Sequence, residues 1–202
     1  MANFDWHAER SDLSGIVLLD RAPESEGIDL KAVRAYRLGR IRTEMAKRDI
    51  AAVILSDPIN IRYATGTRNM QVFSMRNAPS RYLLLTAEKS ILFEFTGCLH
   101  LGDGFETVDE VRPARTASFV AAGPAIAERE KVWAAEMADL ITSLVGKNVS
   151  VGMERMNAGA AIALQNLGFR IVDAQEPVEM ARAIKSDEEM KCVRASLRAT
   201  EI

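Results

Sequence analysis

Apolar positions first recur at the helical period after Asp29: Leu30, Val33, Leu38, Ile41 and Met45 fall on one side, and Lys31, Arg34, Arg37, Arg40 and Arg42 fill much of the rest. With Asp29 available as an N-cap, the pattern predicts an amphipathic first helix whose cations lie on a solvated face. Residues 51–55 then form a short unbroken apolar run bounded by Ser56, Asp57 and Pro58, as expected of a strand buried on both faces. Two β-rich runs, 82–86 and 90–95, are too close together for anything but an antiparallel hairpin, so the predicted sheet is mixed. A shorter strand is expected within 107–111. From Ile126 the helical period returns through Trp133, Met137, Leu140, Ile141 and Leu144, and Gly146 is the expected stop. A strand over 149–153, a helix capped by Asn157 and closed by Gly168, and a strand over 169–172 complete a layered α/β order.

Both ends of the chain stand apart from that order. Residues 1–28 carry mixed charge and several breakers around one apolar run, 16–19, and read as an arm that pairs with a sheet edge, a partner or the chain's own core. At the other end Ser186 and Glu189 make an S-x-x-E capping box, and Asp187 and Glu188 sit where the helix dipole favours anions. Met190, Val193 and Leu197 mark one apolar face of this last helix. No stop signal follows, so the expectation is a helix truncated inside a longer protein, its stripe covered by the missing part.

Composition narrows the function classes. Of the 202 residues, 48% are hydrophobic and 27% charged, which suits a folded globular chain. Lys plus Arg number 26 against 28 Asp plus Glu, so no overall basic field draws in nucleic acid or an anionic bilayer, and neither partner is expected. Two distant cysteines, Cys98 and Cys192, imply reduced thiols, and the charged N-terminus gives no signal-peptide core; a cytoplasmic protein is expected. The only histidines are His7 and His100, in no metal-ligand spacing, so catalytic residues and metal ligands are expected to be absent from this segment. There is also no P-loop, no dinucleotide fingerprint, no G-x-S-x-G elbow and no triad.

The densest candidate chemistry lies between Asp57 and Tyr82. Asp57-Pro58 sets a turn, regular structure resumes at Asn60, and Gly66 breaks it again directly after a buried strand, where sites are commonly built. Arg68, Arg76 and Arg81 are interspersed with Met70, Phe73, Met75 and Tyr82, combining carboxylate-binding guanidinium groups with apolar walls. That combination suits a small anionic or zwitterionic substrate; a connector loop whose arginines pair with surface acids is the other reading.

SDPINIRYATG after a buried strand, DLKAVRAYRLGRIRTEMAKRDI before it and ARAIKSDEEMKCVRAS near the end together resemble the N-terminal domain of the creatinase, prolidase and aminopeptidase P family. The resemblance covers roughly residues 29–202. It implies a layered α/β/α domain of ribonuclease H-like type over 29–184, with 185–202 opening the first helix of a C-terminal "pita-bread" catalytic domain. In that domain a pair of divalent metal ions is expected in most members. The implied enzyme is a metal-dependent hydrolase of the Xaa-Pro peptidase or creatinase type, and this segment alone is expected to be inactive. DPINIRYAT followed by NMQ looks most like the bacterial dimethylsulfoniopropionate lyases of the same family, so a lyase is the alternative; a stand-alone binding or scaffold module is a third. For this segment the resemblance implies homodimerisation, contact with its own catalytic domain, and a part in walling the substrate pocket. Phe73 and Arg76 are the implied counterparts of the aromatic and arginine that creatinase-like members place near the substrate carboxylate, with Arg68 or Arg81 able to take the cation's role.

Overall fold

The computed structural model describes residues 27–69, 71 and 80–201. The described residues divide into two compact units, Arg34–Ile184 and a smaller one made of residues 27–33 with 185–201.

Helix α1 (Leu30–Lys47) begins as expected, with the Asp29 carboxylate accepting from the backbone N–H of Lys31 and Ala32 at 3.0 Å each. Its cations are not simply solvated. Arg34 pairs with Glu106 at 2.7 Å, Arg40 donates to the carbonyl of Met180 at 3.2 Å, and Arg42 donates to the carbonyl of Thr86 at 3.1 Å. These long side chains lie along the domain and bind the Glu106 carboxylate and backbone carbonyls of Met180 and Thr86, correcting the expectation of a free charged face.

Strand β1 (Ala52–Leu55) is buried throughout. Asp57 and Pro58, expected to form a turn, instead start helix α2 (Pro58–Thr65): Asp57 Oδ1 accepts from Ile59 and Asn60, proline occupies the first turn, and Gly66 closes the helix at φ 81°. The hairpin is present as β2 (Tyr82–Thr86) and β3 (Ser90–Glu94), antiparallel with Tyr82 opposite Phe93. A 3₁₀ turn, Thr96–Gly102, leads on to β4 (Glu110–Pro113), which overlaps the expected 107–111 but starts three residues later. The displacement has a cause: the buried Thr107 hydroxyl donates to the carbonyl of Thr65, and Asp109 accepts from the backbone of Ser90, so these residues act as a plug before pairing begins.

The short helix α3 (Phe119–Ala122) precedes the long helix α4 (Ile126–Val145), then β5 (Ser150–Met153), α5 (Ala158–Asn166), β6 (Arg170–Asp173), α6 (Gln175–Ala183) and α7 (Asp187–Glu201). Helix α6 was not foreseen. In the smaller unit the expected capping box starts α7, with Ser186 N–H donating to Glu189 and Glu189 N–H to Ser186 Oγ at 3.1 and 3.2 Å.

The six strands form one mixed sheet in the order β4-β3-β2-β1-β5-β6. Strand alternation divides its side chains into two cores. Ala52, Ile54, Tyr82, Leu84 and Phe93 pack with Trp133, Met137 and Ile141 of α4 and Leu164 of α5. Val53, Leu55, Leu83, Leu85 and Leu92 pack with Ile41 of α1, Ile61 of α2 and Val178 of α6. The result is the expected three-layer α/β/α arrangement. Gly152 is required by the second core: an added Cβ would lie 2.9 Å from Val53 Cγ1 and 3.4 Å from the Ala174 backbone. Gly152→Ala should therefore destabilise the domain by about 1–3 kcal/mol in a chemical denaturation experiment, and an unchanged midpoint would contradict the packing described.

Candidate functional site

Only β2 runs against the other strands, so the carboxyl ends of β1, β3, β4, β5 and β6 meet the amino end of β2 along one sheet edge. Strand carboxyl ends are where open α/β sheets place ligands. Two buried polar clusters sit on this edge.

The first joins the described residues on either side of 72–79. Extending the β2–β3 register by one residue puts Arg81 opposite Glu94, and the two form an ion pair of 2.5 Å with neither side chain exposed. Arg81 Nη2 also donates to Thr67 Oγ1 at 2.9 Å, while Glu94 Oε1 accepts from Asn69 Nδ2 at 3.0 Å and from the backbone of Phe95 at 3.1 Å. Thr67 is held in turn by the Thr65 hydroxyl at 2.7 Å, and the backbone N–H of Gln71 donates to Asn69 Oδ1 at 2.8 Å. Arg81 and Glu94 thus fasten the chain before the segment to the chain after it.

The second cluster centres on Glu154, which directly follows β5 and is buried. Its carboxyl accepts from Asn60 Nδ2 at 2.5 Å and from the backbone N–H of Asp57 at 3.0 Å, while Ser56 Oγ donates to the Glu154 carbonyl at 2.5 Å. Asn60 Oδ1 accepts from Arg182 of α6 at 3.0 Å, and Asp57 pairs with Arg155 at 2.7 Å. Burial pushes the Glu154 carboxyl above its ordinary pKa, against the opposing pull of its hydrogen bonds.

Of the residues singled out from sequence, Phe73 and Arg76 lie outside the described residues. Arg68 is exposed at the surface beyond α2. Arg81, expected among loop cations, is wholly enclosed and committed to Glu94 and Thr67, because its position just before β2 points it into the layer instead of out of it. Glu94, Asn60, Glu154 and Arg182 were missed, although a lone acid inside the apolar run 90–95 is a legible sign of a buried partner. Among the described residues no group of three or more His, Cys, Asp or Glu side chains is arranged to hold a metal ion, and no helix is long and apolar enough to cross a membrane.

Comparison with known proteins agrees with this architecture. Dimethylsulfoniopropionate lyase DddP of Roseobacter denitrificans is 28% identical over 203 residues, spanning 100% of this chain and 42% of that protein. The protein of the same name from Roseovarius nubinhibens is 29% identical over 174 residues, 86% of this chain and 39% of its own length. The chain therefore spans about two fifths of the curated relatives it matches. Among solved structures, a dipeptidase from Pyrococcus horikoshii OT3 matches with TM-score 0.54 and 19% identity, covering 77% of this chain and 38% of that one. Dipeptidase PepE from Mycobacterium ulcerans matches with TM-score 0.53 and 19% identity, covering 81% and 40%. At such identities these structures establish the shared fold. The family model for the Creatinase/Prolidase N-terminal domain matches residues 37–184, from within α1 to the end of α6, and the chain belongs to that family.

Proposed function

We propose that this chain is the non-catalytic N-terminal domain of a metal-dependent enzyme acting on a small substrate that carries a carboxylate. Its own part is to wall the substrate pocket with residues held at the strand-end edge, and to dimerise. The observation that carries this reading is the buried Arg81–Glu94 clamp, which fixes both described flanks of 72–79 on the edge where α/β sheets bind ligands. Under this reading Arg76 binds the carboxylate through paired hydrogen bonds, and the Phe73 ring excludes water from them. The domain boundaries at residues 29 and 184 belong to the same proposal. Under the same reading the expected pair of divalent metal ions is held by the rest of the protein.

Two reactions compete. Xaa-Pro hydrolysis is what the sequence resemblance implies, and the solved dipeptidases share the fold, whereas a lyase is favoured by the curated relatives, which match this chain at 28% and 29% identity. Full-length protein assayed in parallel for proline released from Xaa-Pro dipeptides and for dimethyl sulfide released from dimethylsulfoniopropionate decides between them; activity on neither substrate would favour a binding or scaffold module. On the substrate that is turned over, Arg76→Ala should lower kcat/KM by roughly ten- to hundredfold with little change in Tm, and Phe73→Ala should follow it in direction. If both variants retain wild-type kinetics, the pocket assignment fails.

A further inference from the structure

A groove of about 430 Å³ runs between α4 and α5, on the outer side of the first core and away from the sheet edge clusters, and its size is that of a small-molecule site. Ala134, Ile162, Ala163 and Leu167 give it an apolar surface, on which Ile162 and Leu167 are exposed. Two charged neighbours on α4, Glu130 and Lys131, line the same groove. Neither makes a hydrogen bond or an ion pair among the described residues, with each other or with any third group.

Glu130 is half-buried, and its carboxylate rests on the first turn of α5, where Gly159 leaves room for it: a Cβ added at Gly159 would collide with that carboxylate. The dipole of α5 favours an anion at this end, so the carboxylate is held in place while its oxygens stay without a hydrogen-bond donor. Glycine within a helix is less stable than alanine, and α5 accepts that loss at the point where the carboxylate is seated. Lys131 is exposed and brings the opposite charge to the same groove. Together they present an acceptor for a cation, a donor for an anion and an apolar surface beside both. An amine alone would face the Lys131 ammonium and a carboxylate alone the Glu130 carboxylate, whereas a molecule carrying both charges is matched by both.

We propose that the α4–α5 groove binds a small zwitterion with an apolar body, of the amino-acid class, its ammonium on Glu130 and its carboxylate on Lys131. The inference stands apart from the reading of Phe73 and Arg76, and its test uses binding and stability instead of turnover. Full-length protein is titrated calorimetrically with phenylalanine, with phenethylamine and with 3-phenylpropionate, three probes that share one apolar body and differ only in charge. Phenylalanine should bind saturably, and each single-charge probe about tenfold or more weakly. Glu130→Gln and Lys131→Gln should each weaken phenylalanine binding by about tenfold, whereas Lys147→Gln, beyond the end of α4, should leave it unchanged. Gly159→Ala separates the site from a structural role: it should weaken binding by displacing the Glu130 carboxylate, yet melt at the same or a higher temperature than wild type, because alanine favours the helix. No saturable binding of phenylalanine, equal binding of phenethylamine, or undiminished affinity in both the Glu130 and Gly159 variants would overturn the proposal. So would a change of oligomeric state on Ile162→Arg, which would make a second copy of the chain the occupant of the groove.

Discussion

Arg81→Met should lower the unfolding free energy by about 3–5 kcal/mol, a fall in Tm on the order of 10 °C for a domain of this size. Substitution leaves the Glu94 carboxylate enclosed without its counter-charge, and Glu94 is completely buried. The side chain of methionine fills much of the space of the arginine stem, so lost packing contributes little and the uncompensated charge dominates. Glu94→Gln should also be costly, since an amide oxygen that keeps the bonds from Asn69 and Phe95 turns the amide nitrogen, a donor, towards Arg81 Nε and leaves the enclosed guanidinium without its counter-charge. The double variant should be more stable than the sum of the two single losses predicts, because neither charge is then left alone, giving a coupling of about 1.5 kcal/mol or more in a double-mutant cycle. Additive losses, or a Tm for Arg81→Met within about 2 °C of wild type, would mean that the pair does not hold the flanks of 72–79 together. This result also separates Arg81 from Arg76, whose replacement is expected to change kinetics and leave stability nearly untouched.

The contrast between those two arginines shows where the sequence is informative. The layers were legible because β1 and the β2–β3 hairpin are continuous apolar runs and because α4 repeats its large residues at a strict helical spacing. Local chemistry was legible too wherever a short-range hydrogen bond decides it, as in the Asp29 cap and the Ser186–Glu189 box. Asp57-Pro58 misled because the same pair serves turns and helix starts equally well; the outcome depends on Ile61 and Ala64, three and six residues beyond the proline, being buried. Helix α6 escaped notice because its buried side is built from Pro177, Val178 and Ala181, too small a set to show a period. The clusters at the sheet edge depend on pairings across 13 residues for Arg81 with Glu94 and 94 for Asn60 with Glu154, which composition along the chain does not display. The first of these had a usable signal all the same: a tight hairpin pairing 82 with 93 necessarily sets 81 beside 94.

Glu154 carries the other large effect, and its size depends on pH. Glu154→Ala removes the acceptor of the Asp57 backbone N–H and of Asn60 Nδ2, both donors in a buried environment, and should cost about 2–4 kcal/mol. Glu154→Gln keeps one acceptor but turns its amide nitrogen towards the other donor, since Asn60 cannot flip while its oxygen accepts from Arg182; a fixed loss of about 1–3 kcal/mol follows at every pH. On that constant difference the wild-type carboxyl imposes a pH dependence. Its pKa is raised in the folded state, chiefly by burial, so between the unfolded and folded values the native protein binds more protons than the unfolded chain. The stability contributed by Glu154 is therefore fully present below the unfolded value and is lost as pH rises through the folded one. Glutamine has no such titration. Measured by urea denaturation from about pH 4.5 to about pH 8, the deficit of Glu154→Gln relative to wild type should narrow as pH rises. A deficit that widens instead would mean that the hydrogen bonds from Asn60 and Asp57 outweigh burial and hold the carboxylate ionised.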